Sequence, residues 1–579
     1  MKKLFAPKTS SKGIVTGKVF VRKEADLKPS QEKITEEQTG AEMDRFFSAK
    51  KKVKEDLAVL AEDNDIFGAH LLIADDSALE SGVLSRIREK HRNAEFALAE
   101  TTEELAGIFE MMDDAYMKER GADVRDVGKR LMAELKGIRP DDFSEIREPV
   151  ILVARDLFPS DTAKLDLNKI KAFITQEGGI TSHVSIMAKG LGLPALVGVS
   201  GILDEVNTGD MLCMDALTGE IIVDPDDRTI AEYEKKQKEY ETYRSTVRAS
   251  GSLPAETVDG RRVTVCANTG SVEEVRAAAE NHADGIGLFR SEFLYMDGSC
   301  FPSEEEQFEA YSRAAKLCPR ELTVRTLDIG GDKELPYFDF GEEENPFLGW
   351  RAIRISLDMK EMFCEQLRAI LRASVCGKIR IMFPLIVSVE ELREARELLK
   401  QCKRELEREQ ISFDREIQTG VMMETPAAVM MAEELAKEAD FFSIGTNDLT
   451  QYLLAADRGN KKISSIYNSF HPAVLRAIAH IIHAGHAAGI PVGMCGEFAG
   501  DPRAAELLLG MGLDEFSVSS GSMADVRYAI RSLSYEAAQK KAEAVRKCRT
   551  VEEVMEVLNS VPDMSETHSC SSNAVHLAD

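Results

Sequence analysis

The sequence lacks paired cysteines. Its ten cysteines are scattered over 579 residues, with no C-x-x-C pair and no spacing typical of metal ligands. Cysteines of small secreted domains are usually joined in disulfides, and zinc-binding cysteines come in close pairs. The pattern therefore excludes a disulfide framework and a zinc ribbon, and it predicts reduced thiols in a cytoplasmic protein.

Long apolar runs are also missing. The chain begins with Met1-Lys2-Lys3, but only three apolar residues follow before Pro7, too few for the apolar part of a signal peptide. No later stretch provides the roughly 20 apolar residues that a transmembrane helix needs. We therefore expect no membrane association.

Positive charge is in short supply. The chain has 73 Lys and Arg against 100 Asp and Glu, a net charge of −27. Nucleic-acid binding needs a basic face, so this balance argues against a nucleic-acid partner. An acidic surface can attract a basic protein partner, but it can equally serve solubility alone.

A block without proline lies between residues 39 and 135. Apolar residues recur there at intervals of three and four, which predicts a helical domain of roughly four helices. Phe67, Leu71, Leu72 and Leu79 lie among acidic residues. They predict either a docking surface for a basic partner or a face packed against the rest of the protein.

Strand-like runs flank this block. They occupy residues 13–22 before it, and 149–154, 172–175, 195–199, 211–214 and 220–223 after it. The block is therefore predicted to be an insertion into an α/β domain. A strongly polar helical stretch at 229–249 predicts a linker helix.

From residue 258 onward, eight short apolar runs alternate with helical segments. The runs are 263–267, 285–289, 322–325, 379–383, 420–423, 441–444, 491–494 and 515–518. Eight strand–helix units over about 300 residues are typical of a (β/α)₈ barrel, whose active site lies at the carboxyl ends of its strands. Arginines, carboxylates, amides and a thiol follow these runs, which suits an anionic substrate and a divalent cation.

One histidine stands out in the α/β domain. Gly178 and Gly179 precede Thr181, Ser182 and His183, and a helical pattern follows. The amino terminus of a helix attracts anions through its free N–H groups. An imidazole there could accept a phosphoryl group held by backbone N–H groups and nearby hydroxyls, those of Thr181, Ser182 or Ser185, although a capped loop with an incidental histidine has the same local pattern.

Four barrel motifs complete this pattern. They are GIGLFRSEFL at 285–294, VRTLDIGGDKELP at 324–336, NPFLGWR at 345–351 and GTNDLTQ at 445–451. Together with the Thr-Ser-His stretch and the helical insertion, they resemble the phosphoenolpyruvate (PEP)–protein phosphotransferases, enzyme I of the bacterial sugar phosphotransferase system. The resemblance covers about residues 10–560.

The resemblance implies an α/β multidomain fold. A swivelling phosphohistidine α/β domain (1–24 and 145–226) would carry an inserted all-α domain (25–144) that binds the histidine carrier protein HPr. A linker helix (227–255) would lead to a TIM-type (β/α)₈ barrel (256–564) that binds PEP and dimerises. A disordered tail (565–579) would follow.

The resemblance also implies residue roles. His183 would be phosphorylated by PEP, releasing pyruvate, and would pass the phosphoryl group to HPr. Thr162 would orient His183, and Cys495 would protonate the enolate. Mg²⁺ would be the cofactor, and its ligands would be Glu424 and Asp448. The substrate site would comprise Arg290, Arg325, Arg351, Asn447, Asp448 and Arg458.

Other functions fit parts of the pattern. PEP dikinases and synthases share the phosphohistidine and barrel domains, but they add a nucleotide-binding domain, and no Gly-rich phosphate loop precedes Gly178. A barrel aldolase acting on pyruvate enolates would leave His183 and the inserted helices without a role. A non-catalytic regulatory relative should have lost some of these site residues, and a nitrogen-pathway variant would carry an amino-terminal sensor domain.

Overall fold

The computed structural model describes the chain except residues 23–26, 62–64, 111–114, 139–142, 144–145, 158–160, 162–164, 180–182, 297, 332–334, 336, 461 and 561–579. For residues 65–66, 110, 115–119, 122, 183, 186 and 190 it describes the backbone alone. The predicted tail and Thr162 thus lie outside the described residues. The chain forms two compact units, Met1–Arg244 and Ser245–Asp579.

The first unit contains an eight-stranded mixed sheet in the order β1-β8-β7-β3-β4-β5-β6-β2. Strands β3 to β6 pair in parallel in that order, and the other pairs are antiparallel. The strands are β1 (Lys2–Phe5), β2 (Lys8–Ser11), β3 (Ile14–Val21), β4 (Val150–Ala154), β5 (Ile170–Thr175), β6 (Ala195–Val197), β7 (Met211–Asp215) and β8 (Glu220–Val223).

The sequence did not predict β1 and β2. Both are four residues long and lie at the two edges of the sheet, and three of the four β1 residues are exposed. A short exposed strand has no buried face and therefore no apolar alternation to recognise. The inner strands were predicted because their side chains are buried.

Each face of this sheet has its own core. Ile151 and Ile174 point to one face, whereas Leu152 and Phe173, their neighbours along the chain, pack on the other. The second face is covered by the helix His183–Leu191 through Val184 and Ala188. The apolar stripe of this helix thus fixes it against the sheet, with His183 as its first residue.

The inserted block contains five helices in its described part, one more than predicted. They are Thr39–Ala61, Asp65–Asp75, Ser77–Lys90, Ala94–Glu110 and Ala115–Leu135. Asp76 separates the second from the third, because its side chain accepts a hydrogen bond from the backbone N of Ala78 at 2.7 Å and caps the new helix. In the sequence, Asp76 followed by Ser77 indicates the start of a new helix, but the helical periodicity continues across it and the boundary was missed.

The predicted apolar surface on this block is mostly core. Phe67 and Leu79 are both 2% exposed and belong to the hydrophobic cluster of the insert, whereas Leu72 is 75% exposed. The acids Asp75 and Glu80 pair with Lys50, which is itself buried. Phe67 and Leu79 thus pack inside the insert itself, so neither a docking surface nor a face against the rest of the protein includes all four side chains; of the four, Leu72 is the exposed one.

Two further α-helices follow in this part of the chain. They are the short helix Ile202–Glu205 and the long helix Asp227–Ser250. The second is strongly polar and corresponds to the stretch predicted as a linker helix. None of the helices in the described ranges is long and apolar enough to cross a bilayer.

The second unit is a closed barrel of eight parallel strands, so the predicted fold class is confirmed. The strands are β9 (Thr264–Thr269), β10 (Ile286–Arg290), β11 (Glu321–Arg325), β12 (Lys378–Phe383), β13 (Gln418–Met423), β14 (Phe441–Ile444), β15 (Val492–Met494) and β16 (Glu515–Val518). All eight predicted strands are present.

Helices surround the barrel and connect its strands. They are Val272–Glu280, Glu292–Met296, Glu304–Leu317, Ile353–Asp358, Lys360–Ala373, Val389–Arg408, Pro426–Met430, Ala432–Ala436, Thr446–Leu454, Pro472–Ala487, Pro502–Met511, Met523–Ser532, Tyr535–Val545 and Val551–Asn559. One large apolar cluster joins strands and helices. Gly287 leaves room inside the barrel, since a Cβ there would collide with the side chain of Ser517.

Candidate active site

Two arginines stand side by side at the carboxyl end of the barrel. Arg290 is the last residue of β10 and Arg325 the last residue of β11, and the parallel ladder pairs them directly. Because the carboxyl ends of parallel strands meet at one end of a barrel, residues after the other strands converge on the same place. The predicted Arg290 and Arg325 are therefore neighbours.

Arg325 is buried in a network of ion pairs. Its Nη2 lies 2.5 Å from Glu292 Oε1, and its Nη1 lies 2.7 Å from Asp328 Oδ2. Burial alone would lower the pKa of Arg325, but the charges of Asp328, Glu292 and Glu424 raise it above its usual value. The guanidinium is thus a permanent, buried cation.

A third arginine extends this network. Arg351 is 2% exposed, its Nη2 lies 3.2 Å from Asp328 Oδ1, and its guanidinium lies 5.4 Å from the centre of the Phe347 ring. Asp328 therefore bridges Arg325 and Arg351. An isolated bridge between Gly330 and Arg351 brings the two segments together.

Some buried donors at this end have no acceptor. The Nε atoms of Arg290 and Arg325 are buried without a hydrogen-bond partner. The Arg290 guanidinium lies 5.2 Å from the centre of the Phe293 ring. Unsatisfied buried donors are costly, and at a strand end they indicate a place where an anionic ligand supplies the missing acceptors.

Two carboxylates lie next to the arginines. Glu424 follows β13, Asp448 lies in the first turn of the helix Thr446–Leu454, and Glu424 Oε1 accepts a hydrogen bond from the backbone N of Leu385 at 2.6 Å. Burial raises the pKa of Glu424, and the negative charges of Asp448 and Asp328 raise it further. A Cβ at Gly445 would lie 2.7 Å from Glu424 Oε2, so the loop before Asp448 closely approaches this carboxylate.

This pair fits Mg²⁺. Mg²⁺ is typically bound by one or two carboxylates together with water or substrate oxygens, and a cation relieves the repulsion between buried acids. Asp448 Oδ1 is buried without a hydrogen-bond partner, which leaves it available as a ligand. The described residues contain no cluster of three or more such acidic, histidine or cysteine ligands.

Asn447 and Arg458 lie at the edge of this group. Asn447 Oδ1 accepts a hydrogen bond from the backbone N of Glu497 at 3.2 Å, which ties the loop after β14 to the loop after β15. Arg458 Nη1 is 3.6 Å from Asp448 Oδ1, and its side chain is 38% exposed. Arg458 is therefore the most solvent-accessible of the predicted basic residues with a described ion pair.

Cys495 directly follows β15. Its thiol lies 3.9 Å from the Ile444 carbonyl oxygen, and burial raises its pKa to about 11. It packs in a cluster with Leu288, Met382, Met422 and Phe441. Arg325 Nη1 lies 3.7 Å from Met422 Sδ, so the thiol and the arginine network share a neighbour. The thiol is protonated at neutral pH and can serve as an acid.

The His183 segment belongs to the other unit. The helix begins at His183, as the sequence predicts, but Thr181 and Ser182 lie outside the described residues. Ser185 is fully buried, and its hydroxyl donates a hydrogen bond to the Gly179 carbonyl at 2.7 Å. Of the three hydroxyls considered as phosphoryl ligands, Ser185 is thus unsuitable, because it fastens the preceding loop.

Sequence reasoning missed Glu292 as a part of the site. It follows Arg290 by two residues and forms the shortest described ion pair of Arg325. A carboxylate just beyond a barrel strand was the available signal, but its partner lies on the neighbouring strand. Only the three-dimensional pairing of β10 with β11 identifies that partner.

Comparisons with known proteins agree with this geometry. The family model described as the PEP-binding domain of PEP-utilising enzymes matches residues 244–535. The models of their N-terminal and mobile domains match residues 8–120 and 146–219. A PEP-binding barrel preceded by these two domains is the architecture of a PEP-utilising enzyme.

The similar proteins are more specific. The chain is 45% identical over 559 residues to the phosphoenolpyruvate-protein phosphotransferase of Haemophilus influenzae, covering 95% of this chain and 97% of that one. It is 45% identical over 556 residues to that of Geobacillus stearothermophilus, covering 94% and 96%. An NMR structure of an Enzyme I protein is 35% identical, with a TM-score of 0.37, and covers 41% of this chain and 99% of that chain. The chain belongs to the phosphoenolpyruvate–protein phosphotransferase family, which confirms the family predicted from the motifs.

Proposed function

We propose that the protein transfers the phosphoryl group of PEP to His183 and then to HPr, the first step of the sugar phosphotransferase system. The observation that carries the proposal is the pair Arg290 and Arg325, adjacent at the ends of β10 and β11, each with a buried Nε that has no acceptor. Phosphoryl transfer depends mainly on positioning and on neutralising charge, and guanidinium groups bind phosphate oxygens in pairs.

Arg290 and Arg325 bind the phosphate of PEP in this proposal. The ion pairs of Arg325 with Glu292 and Asp328 fix its guanidinium before substrate arrives, so little reorganisation is needed on binding. Arg351, fixed through Asp328, lines the same site, and Asn447 and Arg458 complete it. The burial of Arg325 and Arg351 strengthens their attraction for an anion.

Glu424 and Asp448 hold Mg²⁺ in this proposal. Bound there, Mg²⁺ supplies positive charge that offsets the negative charge of the substrate and of the two carboxylates. The remaining steps belong to the side chains of the chain itself.

The reaction has two covalent parts. A ring nitrogen of His183 attacks phosphorus, the bond from phosphorus to the enol oxygen breaks, and the enolate of pyruvate leaves. The Cys495 thiol then gives its proton to the enolate carbon, which forms pyruvate, and the thiolate regains a proton from solvent. A pKa of about 11 keeps this donor protonated until the enolate, a stronger base, is formed. Thr162 orients the resting His183.

The partners and domain roles complete the proposal. HPr docks on the insert 25–144, segments 1–24 and 145–226 carry His183, 227–255 links them to the barrel 256–564, and 565–579 is a tail. The barrel also forms a homodimer, and exposed apolar side chains at the ends of its short helices, such as Leu348 and Met430, support this. The nine described cysteines are all free, which suits a cytoplasmic enzyme.

Transfer of ³²P from labelled PEP, without any nucleotide, tests the proposal. The expected label is acid-labile, lies on the peptide that contains His183 and moves to added HPr. The variant His183→Ala should take up no label. An acid-stable label, a label on another peptide or a requirement for a nucleotide would each contradict the proposal.

A further inference from the structure

A buried chain of polar side chains lies directly behind the two arginines. Its centre is Gln366 on the helix Lys360–Ala373, which is 1% exposed. Gln366 Oε1 accepts a hydrogen bond from the backbone N of Leu327 at 3.0 Å. Its Nε2 donates to Ser291 Oγ at 3.1 Å and to Tyr311 Oη at 3.2 Å. A single amide thus uses both donors and its acceptor on three different segments.

Two of these segments carry the arginines. Ser291 follows Arg290 directly, and Leu327 lies between Arg325 and Asp328. The Ser291 hydroxyl also donates a hydrogen bond to the Arg325 carbonyl at 2.7 Å. Gln366 and Ser291 therefore connect the chain after Arg290 with the chain after Arg325.

The position of this connection explains its use. The β10–β11 ladder ends at the pair of Arg290 and Arg325. The Arg325 carbonyl and the Leu327 N–H are backbone groups beyond that last pair, and side chains of Ser291 and Gln366 satisfy them. Buried backbone groups must find partners. Side chains here continue the ladder by one step, which keeps the two strand ends from separating.

The remaining contact of Gln366 leads away from the site. Tyr311 Oη donates to Gln307 Oε1 at 3.1 Å, and Gln307 Nε2 donates to the Pro302 carbonyl at 3.0 Å. Gln307 is fully buried on the helix Glu304–Leu317, and its Oε1 also accepts a hydrogen bond from Tyr295 Oη at 3.3 Å. Gln307 has no described hydrogen bond to Ser291 or to the backbone of residues 325–328. The network therefore has one glutamine, Gln366, that bonds directly to Ser291 and Leu327, and one, Gln307, whose side-chain partners are two tyrosines and the Pro302 carbonyl.

We infer that Gln366 is a positioning residue that holds Arg290 and Arg325, with Glu292 and Asp328, at the spacing that one phosphate group requires. This inference rests on the proposed function, because it assigns the two arginines to the phosphate of PEP. Displacing such a group by about 1 Å can lower a rate about 100-fold. A glutamine that only stabilised the fold would not affect the spacing.

Steady-state kinetics with PEP and HPr can separate these roles. In Gln366→Met the side chain keeps its size but loses all three hydrogen bonds, and we expect the KM for PEP to rise about tenfold and kcat/KM to fall about 10–100-fold. Gln307→Met, the matched control, loses buried hydrogen bonds of the same kind, so its melting temperature should fall comparably while its KM for PEP stays unchanged.

Ser291→Ala provides a milder variant in case Gln366→Met folds poorly. It removes the link to the Arg325 carbonyl, and we expect KM to rise about threefold to tenfold. Because both side chains act through one connection, the double variant should raise KM by less than the product of the single effects.

The outcomes are distinguishable. If the wild-type protein takes up no phosphoryl group from PEP, the proposed function fails. If the wild-type protein is active but Gln366→Met and Ser291→Ala keep a normal KM, or Gln307→Met raises KM equally, the positioning role of Gln366 is wrong.

Discussion

Two buried arginines of the same barrel differ in how many of their guanidinium nitrogens have a hydrogen-bond or ion-pair partner. Arg380 lies in the first half of strand β12. Its Nε donates to Thr323 at 2.6 Å, its Nη1 lies 2.9 Å from Glu321, and its Nη2 donates to Glu515 at 2.6 Å. Arg325 lies at the carboxyl end, where Nη1 and Nη2 have carboxylate partners but Nε has none. Both are buried, so burial and ion pairing alone do not distinguish them.

The difference, at the end of the barrel where active sites lie, separates a structural arginine from a binding arginine. All three guanidinium nitrogens of Arg380 have an oxygen partner, and the guanidinium also lies 4.3 Å from the centre of the Phe441 ring. A saturated network of this kind specifies packing. At the carboxyl end, the Nε atoms of Arg290 and Arg325 have no hydrogen-bond partner, and Asp448 Oδ1 has only the ion pair with Arg458 at 3.6 Å, which leaves both donors and an acceptor for ligands. The following predictions test that contrast, from the largest effect to the smallest.

Removal of divalent cations should have the largest effect. Glu424 and Asp448, at the carboxyl end of the barrel, are the proposed ligands of Mg²⁺. Chelation by EDTA should therefore lower PEP-dependent phosphorylation of the protein by more than about 1,000-fold. Mg²⁺ should restore it. Undiminished phosphorylation in EDTA would contradict the assignment of these two carboxylates.

Lysine substitutions should distinguish the two arginines. Arg325→Lys keeps the charge but loses the planar fork, and we expect kcat/KM for PEP to fall about 100-fold or more. Arg380→Lys, the matched control, should lower the free energy of unfolding by about 2 kcal/mol because it loses buried hydrogen bonds. Its kcat/KM should stay within about threefold of the wild-type value.

Steady-state kinetics and denaturant unfolding of both variants would measure these effects. The contrast between the two arginines is wrong if Arg380→Lys loses as much activity per folded molecule as Arg325→Lys.

Two buried thiols offer the next comparison. Cys495 lies at the carboxyl end, and Cys266 lies on β9, where burial raises its pKa well above the usual value. Cys495→Ala should bind PEP normally but slow the formation of pyruvate by about 10–100-fold, since it lacks the acid. Cys266→Ala should not change that step. Exchange of the pyruvate methyl protons in D₂O measures it directly.

The pH dependence of this step follows from the thiol. The pKa of Cys495 is raised to about 11, so its protonated form predominates throughout the neutral range. A donor of ordinary pKa, about 8.5, would already lose its proton at mildly alkaline pH. Pyruvate protonation should therefore show no decline assignable to this thiol below about pH 9.5. A decline centred near pH 8 that disappears in Cys495→Ala would contradict the proposed donor state.

The smallest effect is expected at the exposed edge of the site. Arg458 is half-exposed and 3.6 Å from Asp448, so water and salt screen its charge. Arg458→Ala should raise the KM for PEP only about threefold, less at high salt. Arg503→Ala, which removes an exposed arginine paired with Asp501 at 2.6 Å, is the matched control and should leave KM unchanged. A larger effect of Arg458→Ala than of Arg325→Lys would reverse the proposed ranking.

The sequence predicts the barrel well for a physical reason. Parallel strands are buried on both faces and therefore appear as continuous apolar runs, as at β12 and β14. The strand ends could then be assigned, which identified Arg290, Arg325 and Glu424. Edge strand β1 and the aspartate cap at Asp76 gave no comparable pattern.

The pairing of side chains was beyond prediction. Glu292 meets Arg325, and Gln366 reaches Ser291, only because the fold brings distant segments together. Residue spacing along the chain does not specify which carboxylate an arginine selects. The apolar runs place Arg325 at the end of a strand and Arg380 inside one. For the same reason, however, the sequence could not show which guanidinium nitrogens of either arginine have a partner.

Calorimetric titration of His183→Ala with PEP at saturating Mg²⁺ tests the central claim most directly. This variant cannot accept the phosphoryl group, so binding is observed without reaction. Because this variant keeps both carboxyl-end arginines, we expect it to bind PEP. Adding Arg325→Lys should weaken that binding at least about 100-fold, whereas adding Arg380→Lys should leave it unchanged. Equal binding by the His183→Ala protein with and without Arg325→Lys would contradict the claim that Arg290 and Arg325, at the carboxyl end of the barrel, form the PEP site.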